Sequence, residues 1–126
     1  MKPQVGVPNA GFYSLRLIRG GIRVGVRIWF GPPIFDGEEL DRCHRWNVEI
    51  DGKTTRPVVD AEGNKTGQRE LLDPFEVWPF ACGHPISQKE FDFLAKRRGW
   101  AVEHEPTHPA ARPREPINLR KLAPGW

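Results

Sequence analysis

Cys43-His44 and Cys82-Gly83-His84 are the side chains in this sequence best suited to ligating a metal. Together they offer four zinc-type donors. Structural zinc sites, however, usually separate paired ligands by two to four residues, so that both can point at one ion. The spacing here predicts no metal site and no cofactor. Cys43 and Cys82 read as small buried apolar residues, and His44 and His84 as surface groups. The same residues do not make a catalytic unit. A nucleophile needs a base within reach and a third group to orient that base. Neither Cys82 with His84 nor Asp41 with His44 has such a partner in the sequence. Arg19-Gly20-Gly21 is explained by a chain reversal rather than by a phosphate-cradling loop. No residue is assigned a catalytic role, and the chain reads as non-enzymatic.

Anion recognition is the better candidate. Residues 12–30 alternate apolar and polar side chains on both sides of Gly20-Gly21, the pattern of a β-hairpin with a two-residue turn. With those glycines as the turn, Arg19 faces Ile22, Leu17 faces Val24, Leu15 faces Val26 and Tyr13 faces Ile28, a largely apolar set. The other face pairs Ile18 with Arg23, Arg16 with Gly25, Ser14 with Arg27 and Phe12 with Trp29. A slip of one residue would mix the two sets, so the pattern argues for these faces. Phe12, Arg16, Arg23, Arg27 and Trp29 then share one surface. Arginines pair with phosphates and aromatic rings stack on bases, the combination used by single-strand binders on sheet surfaces. A two-stranded ribbon also fits a major groove. Lys96, Arg97 and Arg98 add a second basic cluster. The competing reading is a solvated strand face, whose arginine stems cover Trp29 and whose charges pair with acids such as Glu38, Glu39 and Asp41.

Charge along the chain is uneven. Residues 1–35 carry five cations and no acid, and residues 36–73 carry ten acids against six bases. Residues 74–126 return to a small positive excess. Such polarity steers a polyanion to one side, or serves internal charge matching.

The elements around these residues are short. The 13 glycines and 13 prolines favour turns over long helices. Gly31-Pro32-Pro33 ends the hairpin. Residues 45–50 alternate again, with Trp46, Val48 and Ile50 on one side, before an Asp51-Gly52 turn. Residues 56–59 suit an edge strand because of Pro57, and residues 60–67 suit a polar loop or hairpin tip. Asp73-Pro74 opens a short helix that Pro79 should interrupt. Ser87 and Glu90 form a capping box for a helix over about 87–98, with Lys96, Arg97 and Arg98 in its last turn and Gly99 as its natural stop, unless Trp100, Ala101 and Val102 extend or repack it. Most of the five tryptophans should lie in the core. Residues 105–126 contain five prolines and should be an extended strap, anchored by Ile117, Leu119, Leu122 and Trp126.

The expected fold is therefore α+β. A small twisted antiparallel sheet or partly open barrel of four or five strands carries one main helix. Residues 1–104 form a single domain, and residues 105–126 form a strap that packs on it or on a partner. No run of about 18 apolar residues offers a membrane span, and the N-terminal residues lack a secretion-signal pattern. Two cysteines suit a reducing compartment, giving a cytoplasmic expectation.

Gly11-Phe12-Tyr13, Arg16-Leu17, Gly20-Gly21, Val26-Arg27-Ile28-Trp29 and Gly31-Pro32-Pro33 are followed by Trp78-Pro79, Pro85-Ile86-Ser87 and Asn118-Leu119-Arg120-Lys121-Leu122. Over nearly the whole chain this pattern resembles small phage- and prophage-encoded proteins of proteobacteria. The resemblance implies an intracellular viral protein in a bacterial host. It carries no activity, cofactor or functional residue onto these positions. The expected function is a non-enzymatic binding protein with nucleic acid as leading ligand. The alternatives are a phage protein that binds and modulates a host protein, such as a defence component, and a virion or assembly component. A homodimer is compatible with each.

Overall fold

The structure is a computed structural model that describes residues 8–35, 38–39 and 44–114. Its centre is a four-stranded antiparallel sheet in the order β5-β2-β1-β8, where β1 is Gly11–Arg16, β2 is Arg23–Gly31, β5 is Arg45–Ile50 and β8 is Pro85–Ile86. The two-residue strands β3 (Ile34–Phe35) and β4 (Glu38–Glu39) pair with each other. Strands β6 (Thr55–Val59) and β7 (Lys65–Leu71) form a separate hairpin. Helix α1 spans Pro74–Ala81 and helix α2 spans Gln88–His104. The architecture is a small α+β fold with one main helix, and no sheet closes into a barrel.

The faces of the first hairpin follow the alternation, but its register does not. Leu15 faces Val24 and Tyr13 faces Val26, two residues away from a Gly-Gly turn register. A two-residue slip keeps every side chain on its face, which is why the core pattern survives it. The connection runs from Leu17 to Ile22 and is closed by Gly21 N–H donating to the Ile18 carbonyl at 3.0 Å. Only Gly20, at φ 79°, takes the left-handed conformation there. Gly21 is buried, and a Cβ on it would lie 3.1 Å from the Pro113 carbonyl. The chain's later segment has folded back onto this turn.

Asp51 and Gly52 adopt φ of 51° and 81°, the paired positive values of a type I′ turn. Ile50 and Lys53 exchange both backbone hydrogen bonds at 2.9 Å across it. The chain then leaves the main sheet, so β6 returns beside β7 instead of β5.

The apolar face of the sheet carries Tyr13, Leu15, Val24, Val26, Ile28 and Val48, all buried, and α1 closes it with Trp78 and Ala81. Trp78 meets Tyr13 edge-on at 5.2 Å between ring centroids. Asp73 caps α1 by accepting from Phe75 N–H at 2.9 Å, and Pro74 occupies the first turn. Pro79 does not end this helix. It lies two residues from the terminus, and Cys82 N–H still reaches the Trp78 carbonyl at 2.9 Å.

Helix α2 covers the opposite face. Its first turn is capped by Ser87 Oγ, which accepts from Glu90 N–H at 3.1 Å. Expected to stop at Gly99, α2 continues to His104, because an exposed helical glycine costs only about 1 kcal/mol against alanine. Residues 105–114 are not uniformly extended either. Pro109–Ala111 forms a 3-10 turn, started by His108 Nδ1 accepting from Ala110 N–H at 3.0 Å, and this turn packs on α2. The proposed anchors Ile117, Leu119, Leu122 and Trp126 lie outside the described residues. Of the remaining tryptophans only Trp78 is fully buried. Trp29 and Trp46 are half-buried, and Trp100 is half-exposed. No described helix is long and apolar enough to cross a membrane.

Candidate nucleic-acid interface

The face of the first hairpin that holds Phe12, Ser14, Arg16, Arg23, Gly25, Arg27 and Trp29 is the face on which α2 lies. Gly25 is the contact that permits this. A Cβ at that position would meet the Phe91 ring at 2.9 Å, with Leu94 nearby, so the helix sits against bare backbone. Phe12 is consequently not a platform for a base, because its ring packs on Phe91 at 4.9 Å.

The arginines divide into three groups. Nearest the hairpin turn, Arg16 and Arg23 are directly opposed across the two strands. Arg23 is held in place by its own neighbours, Nε donating to Ser14 Oγ at 2.9 Å and Nη2 to the Ser14 carbonyl at 2.7 Å. Arg97 comes down from α2 and donates through Nη2 to the Arg23 carbonyl at 3.3 Å. Its Nε is buried without a hydrogen-bond partner. Arg16 is exposed.

Beside them, Arg98 spans to the neighbouring strand end and pairs with Asp51 at 3.2 Å. Gly52 makes room for it, since a Cβ there would lie 2.6 Å from its guanidinium. At the far end of β2, the Arg27 guanidinium lies over the Trp29 ring, 4.7 Å from the centroid, and Arg27 is opposite Glu49 on β5. Lys96 belongs to none of these groups. It is exposed on the outer side of α2, in a shallow depression with Gln88, Lys89, Asp92 and Phe93.

The structure thus brings Arg97 and Arg98 beside the hairpin face, packs Phe12 against Phe91 and turns Lys96 away. It is the Arg27 guanidinium, rather than the stem alone, that lies over the Trp29 indole. The acid paired beside this face is Asp51, which takes Arg98, not Glu38 or Glu39, and Asp41 lies outside the described residues. Sequence reasoning missed Ser14, Asp51 and Phe91 as the residues that position these cations. Gly25, a lone glycine inside an alternating strand, was the available signal for a close approach by another element.

Burial pushes the Asp51 carboxyl above its ordinary value, and Arg98 beside it offsets only part of that shift. The folded state therefore holds this proton more tightly than the unfolded chain does. The resulting stabilisation is complete below the unfolded pKa of about 4 and is lost as pH rises through the higher folded value. Asp51→Asn keeps an oxygen for Arg98 and suits a positive φ. It is expected to match or exceed the parent in stability near neutral pH and to flatten that decline. Urea midpoints measured across the acidic range check this; a loss at pH 7 above about 1 kcal/mol would mean that the ion pair outweighs its burial.

Among the described residues no group of three or more His, Cys, Asp or Glu side chains could hold a metal ion. His44 is exposed, with its ring 6.4 Å from Phe30, and Cys82 is a free thiol whose Sγ lies 3.8 Å from the Pro79 carbonyl. Cys43 lies outside the described residues.

No protein-family model matches this chain, and neither a curated protein nor a solved structure is significantly similar to it.

Proposed function

We propose that this protein is a non-enzymatic nucleic-acid-binding protein whose arginines engage backbone phosphates. The observation that carries the reading is the convergence of Arg16, Arg23 and Arg97, from two strands and a distant helix, on one end of one sheet face. Like charges directly opposed across strands are unfavourable. An arginine pair that a fold keeps in this position, together with a third from α2, suits a polyanion that spreads over all of them. Arg27 on Trp29 lies further along the same strand, beyond the Phe91 contact at Gly25.

The reading is tested by titrating the protein with single-stranded and duplex DNA and with RNA over a range of salt. Neutralising about three phosphates gives a log–log slope of about −2 for a single strand and about −2.7 for a duplex. Absence of binding at low salt overturns the reading.

A second reading, binding of a host protein by a phage-encoded chain, is favoured by a different observation. Phe75 and Phe80 on α1 are 54% and 72% exposed, and Phe93 and Trp100 on α2 are 60% and 50% exposed. Exposed aromatic groups of this extent are typical of protein contact surfaces. Salt-insensitive capture of one host protein, with no nucleic-acid binding, would support it.

A further inference from the structure

We propose that Arg16, Arg23 and Arg97 form a discrete site for one phosphate oxyanion at the turn end of the first hairpin, an inference that deepens the nucleic-acid reading and rests on it. Three features distinguish this group from ordinary surface arginines.

The first is charge. No carboxylate among the described residues forms an ion pair with any of the three, because Asp51, the acid beside them, gives its short contact to Arg98. Opposed residues of an antiparallel pair stand about 5 Å apart at Cα, so the stems of Arg16 and Arg23 start close together with no anion between them.

The second is rigidity. Arg23 is locked by two hydrogen bonds to Ser14, and Arg97 by one to the Arg23 carbonyl. These bonds use one edge of each guanidinium and leave nitrogens over. A planar fork fixed in advance loses less entropy when it binds an oxyanion, which is why arginine suits phosphate recognition.

The third is the cost of placing Arg97 there. Its Nε is buried without an acceptor, although a buried donor is normally satisfied. Arg97 satisfies the Arg23 carbonyl and offsets part of the buried Asp51 charge, yet neither contact gives its Nε an acceptor. Exposed Arg16, directly opposite Arg23, supplies the third guanidinium.

Phosphate chemistry has two sources here, a free phosphate or mononucleotide and the backbone of a strand. The experiment has an arm for each. In the first, the full chain is titrated with inorganic phosphate while the arginine Nε–H resonances are followed by NMR. The resonances of Arg23 and Arg97 are expected to shift together. Arg16→Ala should weaken the phosphate dissociation constant about tenfold and Arg16→Lys by less, because it keeps the charge and loses the fork. Arg16 is exposed, so both variants should fold, with melting curves like the parent's.

In the second arm the same variants are titrated with an oligodeoxythymidine, where Arg16→Ala should lower the magnitude of the salt slope by about 0.7. If phosphate leaves the arginine resonances unmoved, or Arg16→Ala binds phosphate like the parent, the site is overturned. Oligonucleotide binding that persists unchanged in Arg16→Ala overturns the site while leaving the nucleic-acid reading intact. Phosphate binding with no oligonucleotide binding keeps the site, as one for small phosphates, and ends the nucleic-acid reading.

Discussion

Trp78→Ala is expected to remove a large part of this protein's stability. The indole is 1% exposed, closes the apolar face of the sheet and stands edge-on to Tyr13. Truncating a buried tryptophan costs about 3–5 kcal/mol, through lost transfer energy and the cavity left behind. A domain of this size has about 5–15 kcal/mol in total. At roughly 4 °C per kcal/mol, the melting temperature should fall by about 12–20 °C. Trp100→Ala is the matched control. Its ring is 50% exposed and contacts His104 and His108 at 5.9 and 6.1 Å, so its removal should cost less than about 1 kcal/mol. Thermal melts of the two variants side by side settle the point; equal losses would place the core elsewhere.

The second large effect concerns Gly25. Gly25→Val would drive two methyl groups into the Phe91 ring, where even a single Cβ comes within 2.9 Å. Overpacking of this kind costs about 1–3 kcal/mol. Here the strain falls on the contact that seats α2, so the helix should lift from the sheet and carry Arg97 away from Arg23. Adding Phe91→Ala should recover part of the loss, because the two changes share one space and cannot be additive. Chemical denaturation of the parent, both single variants and the double variant yields the coupling directly. Strict additivity would show that α2 does not depend on this contact. The same series reports on the arginine cluster, since the displaced helix should also weaken anion binding.

Much of the local structure was legible in the sequence because it depends on short-range physics. Asp73-Pro74 and Ser87 with Glu90 announce helix starts, since each cap satisfies backbone donors two or three residues on. Asp51-Gly52 announces a type I′ turn, because both residues tolerate positive φ. The separation of Tyr13, Leu15, Val24, Val26 and Ile28 from the arginine face depends only on alternation, and it held through a register shift.

The candidate site was less legible. Its arginines could be named, but not the company they keep. Arg98 is 47 positions from Asp51 and Arg97 is 74 positions from Arg23. Nothing in the local pattern says which helix face meets which strand. Gly99 looked like a stop because glycine is favoured just past helix ends. The helix ran on through it because glycine's helical cost is small, Ala101 beyond it is buried, and the 3-10 turn at Pro109–Ala111 packs on α2.

The sequence by itself determined the side chains on each face of the hairpin, the helix starts and the α+β class, because these follow from alternation, caps and turn preferences within a few residues. Only the tertiary structure decided that α2 lies on the basic face, that Phe12 meets Phe91 instead of an open surface, and that Arg97 joins Arg16 and Arg23. That outcome turns on a close approach at Gly25, where the absence of one side chain lets two distant segments touch. Contacts between segments so far apart in sequence depend on how whole surfaces fit, and no local pattern encodes that fit.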